Sequence, residues 1–556
     1  MSWRNHLNIY NYVIPICTLK DTTSMITVKP EKMVGLVPRM LELTSRTTPW
    51  HRRDWRAGAL ELVEEALSEA LIPGTREKAL TELREHMAKA LRDDRGVSRI
   101  QKNLIGCVKS ISPSSDPDSH DVRLAQHHAQ DLKQTYLQNW ADIFDNPDQA
   151  GQLDVEGTAK RIVSHLLYCG VPASSVYNVI HDRRVASEEY EFSSVLRELD
   201  SRTKYKVKDF SFAVPVDRIP DFLYSSSQPS GWLNPKQLKQ WKHKNAPQAE
   251  SVRHHGGFIL TVHARDVNEA SDEAQRLLSQ LSFKFQSGSE NGFSILHLMW
   301  SQEKGNSFPT QRIFKPLKLR AFQRANALHH LEISPKARNI LAIIEPLQTN
   351  DSHVAVVNGW VALESILVDS DEDDRIGAER MARVVAASYF RTEMTWLARN
   401  YAEIYKKKCS IAEQISSSET SIERSKLMAK AIQEEKDFSL LDQPDQLAIQ
   451  KMLEVLENPS AVFDRTYEIL KREFQRMYRK RNLIVHSGRA VENGIESIAD
   501  KVVPLLINGI DQLLIANIQH DLDPKALAAS VEFKALHLAQ SGNSDSYSIL
   551  DLLEVD

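Results

Sequence analysis

The stretch Lys471–Arg489 reads KREFQRMYRKRNLIVHSGR, and the rest of the chain is best read outward from it. It lies within a long region, Ser334 to His520, whose hydrophobic spacing is helical throughout. From Asp464 to Arg489 eight cations (Arg465, Lys471, Arg472, Arg476, Arg479, Lys480, Arg481 and Arg489) stand against Asp464, Glu468 and Glu473, a net +5 in 26 residues. Such a local field attracts a polyanion with a strength that depends on salt. Within it, Arg481 and His486 bracket the mostly apolar insert Asn482-Leu483-Ile484-Val485. The insert is packed, so the two polar residues at its ends are held in place.

An arginine and a histidine together suffice for one reaction. Arginine is a permanent cation that forks onto phosphate oxygens. Histidine titrates near neutrality and passes protons. In RNA the 2′-hydroxyl can attack its own 3′-phosphate while a base removes its proton. An acid protonates the departing 5′-oxygen, and a cation stabilises the phosphorane. DNA lacks the 2′-hydroxyl and is refused. In an ideal helix, positions five residues apart sit about 140° apart around the axis. Either the helix breaks between Arg481 and His486, or a second copy of the chain completes the site in a two-fold dimer. Taken alone, an R-x-x-x-x-H spacing arises often by chance, and its ordinary meaning is a histidine capping a helix.

The whole chain says less. Its 556 residues predict about three to four domains, or fewer large ones. An apolar content of 42% excludes wholesale disorder. Lys and Arg total 70 against 74 Asp and Glu, so any polyanion role must rest on local patches. Cys17, Cys107, Cys169 and Cys409 are far apart and read as reduced thiols of a cytoplasmic protein. No run of 18 apolar residues is present, so no membrane contact is expected. Met1–Leu19 reads as a strand-like start and not as a signal peptide.

Common catalytic motifs fail. Phosphate-binding glycine loops, H-E-x-x-H and G-x-S-x-G are missing from the sequence. The acidic run Asp369–Asp374 (DSDEDD) has Asp374 where a calcium loop needs Gly and Arg380 where it needs Glu, so it reads as a solvated loop. The pairs His127–His128, His254–His255 and His329–His330 have no Cys or carboxylate at zinc spacing. No metal and no cofactor are expected.

Patterning divides the chain. Residues 1–200 read as a mainly helical region, a candidate sensor, with helices over Asp54–Ala70, Ala79–Leu91, Val122–Phe144 and Gly157–Leu167 and a loop over Ser110–Ser119. Residues 201–330 read as a small α+β block. Its strands fall at Lys204–Val216, Gly257–Ala264, Phe283–Phe285 and Phe293–Trp300, with a helix over Asn268–Leu281 and a polar stretch over Ser225–Glu250. Residues 331–520 read as four to eight helices, opened by the cap Ser334–Pro335 and interrupted by the acidic run. Residues 521–556 read as a C-terminal tail, of which Ser541–Asp556 is expected to be loosely attached. The class is mainly α, a C-terminal helical bundle behind a small α+β block and an N-terminal helical region.

RNLIVHSGR resembles the signature of HEPN domains, in which Arg, a polar residue and an apolar run precede His. Upstream, Asn358–Leu367 (NGWVALESIL) is similar to the early helix of the Apea-like HEPN branch, with its Trp and Leu-Glu pair. The resemblance covers about 335 to 520. It implies an all-α domain that dimerises and, in many members, a metal-independent endoribonuclease serving as a toxin or an abortive-infection effector. It implies that Arg481 and His486 are the catalytic pair and Asn482 their polar companion. Glu364, one turn from Trp360, matches the family's helix glutamate and is expected to orient Arg481 from behind; its alternative is a purely structural pairing. Ser487-Gly488 replaces the Tyr of HEPN toxins that a nucleotidyltransferase neutralises, which puts that control in doubt.

The expectation is therefore a bacterial, cytoplasmic, metal-independent endoribonuclease acting in antiviral defence. Its partners are RNA, single-stranded or in tRNA loops, a second copy of itself, and a possible regulatory protein. Lys471, Arg472, Arg476, Arg479 and Lys480 are expected to hold the RNA backbone. Charge complementarity suggests that the acidic tail, Asp551–Asp556, shields that basic cleft. Two alternatives are a catalytically inactive HEPN-fold interaction protein and an RNA-binding regulator.

Overall fold

The computed structural model describes residues 26–555, apart from 46, 73–76, 100, 113–114, 219–230, 289–293, 312–318, 331, 349–350, 407–408, 488–493 and 539–546, and apart from the side chains of 32, 285–288 and 486–487. Met1–Leu19 and Arg489 lie outside the described residues.

The chain is mainly helical, and its described residues build four hydrophobic cores over three successive segments, the middle segment holding one on each face of its sheet. The first runs from Ile26 to Leu199. Its helices include Leu36–Thr44, Ala59–Ala70, Glu77–Asp93, His120–Phe144, Val155–Tyr168 and Phe192–Thr203. Apolar positions at helical spacing explain the burial of Leu60, Leu62, Ala66 and Leu67, while Glu82 and Glu85 stay in water. A two-residue parallel pairing, Ile26–Thr27 with Tyr190–Glu191, ties the start of this unit to its end.

The second segment is a five-stranded antiparallel sheet. Its spatial order is Trp232–Leu233, Gly257–Ala264, Lys208–Pro215, Leu298–Ser301 and Ser307–Pro309. Strand alternation turns Phe210, Phe212 and Val214 towards the helix Val267–Gly288, where they meet Ala270, Ala274 and Leu278. The other face packs Ala213 and Trp300 on Leu238 of the helix Pro235–Asn245. One expectation fails here, and one stretch gains structure. Phe283 is not in a strand, because the helix begun at Val267 runs on to Gly288, leaving Phe283 on its exposed side. The polar stretch Ser225–Glu250 contains a helix, started by a capping box between Asn234 and Gln237 with Pro235 at its first position.

The core of the third segment runs from Ala321 to Leu552 and also takes in Trp55. Between Ser334 and His520 it holds eight α-helices among the described residues. The first starts where Ser334 Oγ accepts from the Ala337 N–H at 3.1 Å with Pro335 beside it. The acidic run separates Ser352–Leu367 from the long helix Arg375–Tyr405. That long helix packs against the basic helix Pro459–Ser487 and the central helix Ile495–His520. The central helix is the one described helix long and apolar enough to cross a membrane, and most of its apolar stretch is buried inside the bundle.

The tail corrects the sequence reading. Ser541–Asp556 is expected to be loose, yet its Ile549, Leu550 and Leu552 join this core, beside Leu527, Ala528 and Val531 of the helix Pro524–Leu536. Arg391 donates to the Leu550 carbonyl at 3.0 and 2.9 Å and pairs with Glu554 at 2.8 Å. Asp551 pairs with Lys426 at 2.9 Å. Apolar side chains anchor this acidic segment, and among the described residues its Asp551 and Glu554 pair with Lys426 and Arg391, not with the cations of the basic helix.

Candidate functional site

The basic helix carries every residue of the predicted catalytic and RNA-binding set except Glu364. It is continuous from Pro459 to Ser487, so no break separates Arg481 from His486. Their backbone positions are therefore about 140° apart around one axis. The His486 side chain lies outside the described residues.

Most of the expected RNA-binding cations turn inward. Arg476 is 1% exposed and donates Nη2 to Glu61 and Nε to Glu65, each at 2.7 Å, and Nη1 to Glu473 at 2.6 Å. Arg479 forks onto the same Glu65, at 2.7 and 3.1 Å. Lys501 of the central helix closes the cluster, reaching Glu61 at 2.9 Å and Ser164 Oγ at 3.2 Å. Lys480 is buried as well. A strand cannot reach Arg476 or Lys480 in this arrangement, and Arg479 is held by a carboxylate. The reason is tertiary: the helix Ala59–Ala70 presents Glu61 and Glu65, four residues apart on one face, to this side of the basic helix. Lys471 pairs with Glu379 at 2.8 Å, and Arg472 stands 4.0 Å from Glu468; both pairs are partly exposed.

The electrostatics follow from that packing. Burial alone would raise the Glu61 and Glu65 carboxyls. The cations overcome it: Lys501 and Arg476 hold Glu61 well below the usual carboxylate range, and Arg476 and Arg479 pull Glu65 down to about 2. Glu473 moves the other way, burial outweighing Arg476. His86 is pushed down to about 3 by burial and then by Arg472, Arg476 and Arg479, so it adds no charge at neutral pH.

Arg481 differs from its neighbours. Its Nη1 donates to Asn482 Oδ1 at 2.9 Å. Its Nε is buried and meets no hydrogen-bond partner among the described residues. Glu364 lies within electrostatic reach, but it does not grip the guanidinium among the described hydrogen bonds. The Glu364 carboxyl is held above its ordinary range, first by burial and then by Asp374, with Arg481 opposing. Glu364 thus stands between Asp374 and Arg481 electrostatically, the first raising its carboxyl and the second lowering it. Behind them, Trp360 is fully buried with its ring 4.8 Å from that of Tyr478.

Arg481, Asn482, Glu364 and Asp374 thus meet where the end of the basic helix approaches the helices on either side of the acidic run. Asp374, read from the sequence only as part of a solvated acidic loop, is brought to Glu364 by the fold. Its signal was present, in that it follows the interrupted helix and precedes the next one. Its facing of Glu364 depends on how those two helices fold back on each other. Comparison of the chain with known protein families, with curated proteins and with solved structures returns no match.

Proposed function

We propose that this chain is a cytoplasmic, metal-independent endoribonuclease of the HEPN type, acting in phage defence as a homodimer. The observation that carries the reading is Arg481. It is the cation of the Arg476–Arg481 segment whose guanidinium keeps an unpartnered Nε among the described residues, while Arg476 and Arg479 are locked onto carboxylates. An arginine held by Asn482, beside a carboxyl pair in which Glu364 is pushed upward, suits stabilising charge on a phosphate. His486, on the same helix, supplies proton transfer. Because the two lie on different sides of one unbroken helix, a second copy of the chain is the economical source of the complementary group. The product is a 2′,3′-cyclic phosphate with a 5′-hydroxyl.

A second reading is favoured by a specific observation. Arg476 and Arg479 serve as internal ties, which weakens the basic helix as a polyanion surface and suits a non-catalytic interaction protein. The deciding experiment treats total cellular RNA with wild type and His486→Ala in EDTA, followed by end-group analysis. Cleavage by wild type alone, leaving cyclic phosphates, supports the nuclease. Equal cleavage by both rejects the Arg481–His486 assignment.

A further inference from the structure

One set of lysines open to a polyanion lies outside the basic helix. From Phe222 to Ala249 the sequence has four Lys and no Arg, Asp or Glu. All four fall on the helix Pro235–Asn245, which lies on one face of the five-stranded sheet. Leu238 is its one buried residue, seated with Ala213 and Trp300. At about 100° per residue, Lys239, His243, Lys236, Gln240 and Lys244 follow one another around the opposite side within about 140°. All five are exposed. Lys236 and Lys244 are about 12 Å apart along the axis at 1.5 Å per residue. Lys242 stands at one flank of this face, its Nζ 5.7 Å from the centre of the Trp300 ring. Trp241 is partly exposed at the other flank.

None of the four lysines forms an ion pair among the described residues, whereas the next long helix, Val267–Gly288, pairs Arg276 with Glu273 at 2.5 Å. Of the carboxylates on neighbouring elements, Asp209 meets His263 at 2.5 Å and Glu303 accepts from the Ser211 N–H at 3.3 Å. Glu250, beyond the end of the helix, forms no ion pair either; its N–H donates to Ser307 Oγ at 2.8 Å and its carbonyl accepts from Trp300 Nε1 at 3.0 Å. Helix stability does not explain the arrangement. Lys242 and Lys244 in the last turn suit the helix dipole, but Lys236 at the second position opposes it. Lys236 and Lys239 are like charges three residues apart, which weakens a helix. An anion laid along the face relieves both.

We propose that Lys236, Lys239 and Lys244, flanked by Lys242, form a docking surface for the phosphate backbone of single-stranded RNA. A row of cations with polar residues between them fits a strand charged at every phosphate. Trp241 at the rim offers a ring on which a base stacks. A lipid surface fits less well, because the helix turns its apolar side to the sheet and only polar groups outward. The assignment of RNA as the strand rests on the ribonuclease reading; the polyanion surface itself does not.

The test uses the full chain as His486→Ala, so that RNA survives, and titrates a fluorescein-labelled single-stranded RNA by anisotropy at about 50 mM and about 200 mM salt. Adding Lys236→Gln, Lys239→Gln and Lys244→Gln together should weaken binding about tenfold or more and flatten the log–log salt slope by about 2, three phosphates at about 0.7 each. Lys236→Arg, Lys239→Arg and Lys244→Arg together should keep the parent's affinity and slope. The side chains are exposed and glutamine is a good helix former, and a circular-dichroism melt checks that the fold survives. Unchanged affinity and slope in the glutamine variant, or no binding by the parent, overturns the proposal. Tighter capture of polyglutamate than of RNA at equal charge overturns it also, since the surface would then suit an acidic protein. So does binding to phosphatidylserine vesicles that the glutamine changes abolish while RNA binding stays. RNA bound through these lysines yet never cut by wild type would sink the ribonuclease reading and leave the docking surface standing. RNA cut by wild type, with binding unchanged in the glutamine variant, would do the reverse.

Discussion

Arg476 Nε donates to Glu65 Oε2 at 2.7 Å, joining residues 411 apart in sequence with both side chains buried. This contact fastens the N-terminal helical unit to the helix that carries Arg481. Around it, Glu61, Glu65 and Glu473 are matched by Arg476, Arg479 and Lys501, so the buried cluster is neutral. A buried cluster of this kind contributes little net stability when complete, yet it is costly to break.

Arg476→Met should therefore destabilise the chain by about 3–5 kcal/mol, because three buried carboxylates lose their shared partner. Urea denaturation of the variant measures it. A loss under about 1 kcal/mol would mean that Arg479 and Lys501 suffice, or that water enters the cluster.

Acid should loosen the same junction. Glu61 and Glu65 have folded values depressed below the ordinary 4.5, Glu65 to about 2. The sign is that of depressed carboxylates: their contribution is complete above pH 4.5 and is lost as pH falls towards 2. Glu473, held upward by burial, offsets part of that loss. Stability measured by urea across this window should fall, and Glu65→Gln should flatten the fall. An identical pH profile in that variant would reject the assignment.

The tail should behave as core. Leu552 is fully buried, so Leu552→Ala should cost about 2–5 kcal/mol. Asp551→Asn, which removes a partly exposed partner of Lys426, should cost less than about 1 kcal/mol. Thermal melts of the two variants give the comparison. Because the tail's charges meet Arg391 and Lys426, neither change should release RNA-cleaving activity, and a strong activation would restore the shielding idea.

Asp374 sets the state of Glu364 in part. Asp374→Asn should lower the Glu364 titration towards 4.5, since one of the two upward influences is removed while Arg481 still pulls down. Carboxyl NMR of the isotopically labelled chain reads the shift, and the acidic limb of the cleavage profile should move with it. An unmoved titration would leave burial as the whole cause.

Much of the architecture was legible along the chain. Gly257–Ala264 declares itself as a strand by its apolar, β-branched run, and the structure places a strand over those same residues. Ser334–Pro335 announces a helix start through a hydroxyl acceptor and a ring that needs no donor. The failures share a cause. Phe283 looks like a strand residue by type, but the helix begun at Val267 propagates through it. The tail looks acidic and loose, but three apolar side chains find a groove that patterning along the chain cannot display.

For the candidate site the division is sharper. Sequence alone determined that Arg481 and His486 sit five residues apart beside an apolar run, and hence that one straight helix cannot aim both the same way. It also determined a dense local positive charge. Only the tertiary structure decided which cations are free. Charge along a chain is a sum, whereas a field at a surface depends on the partners that folding brings in. Here Glu61 and Glu65 come from more than 400 residues away to neutralise Arg476 and Arg479.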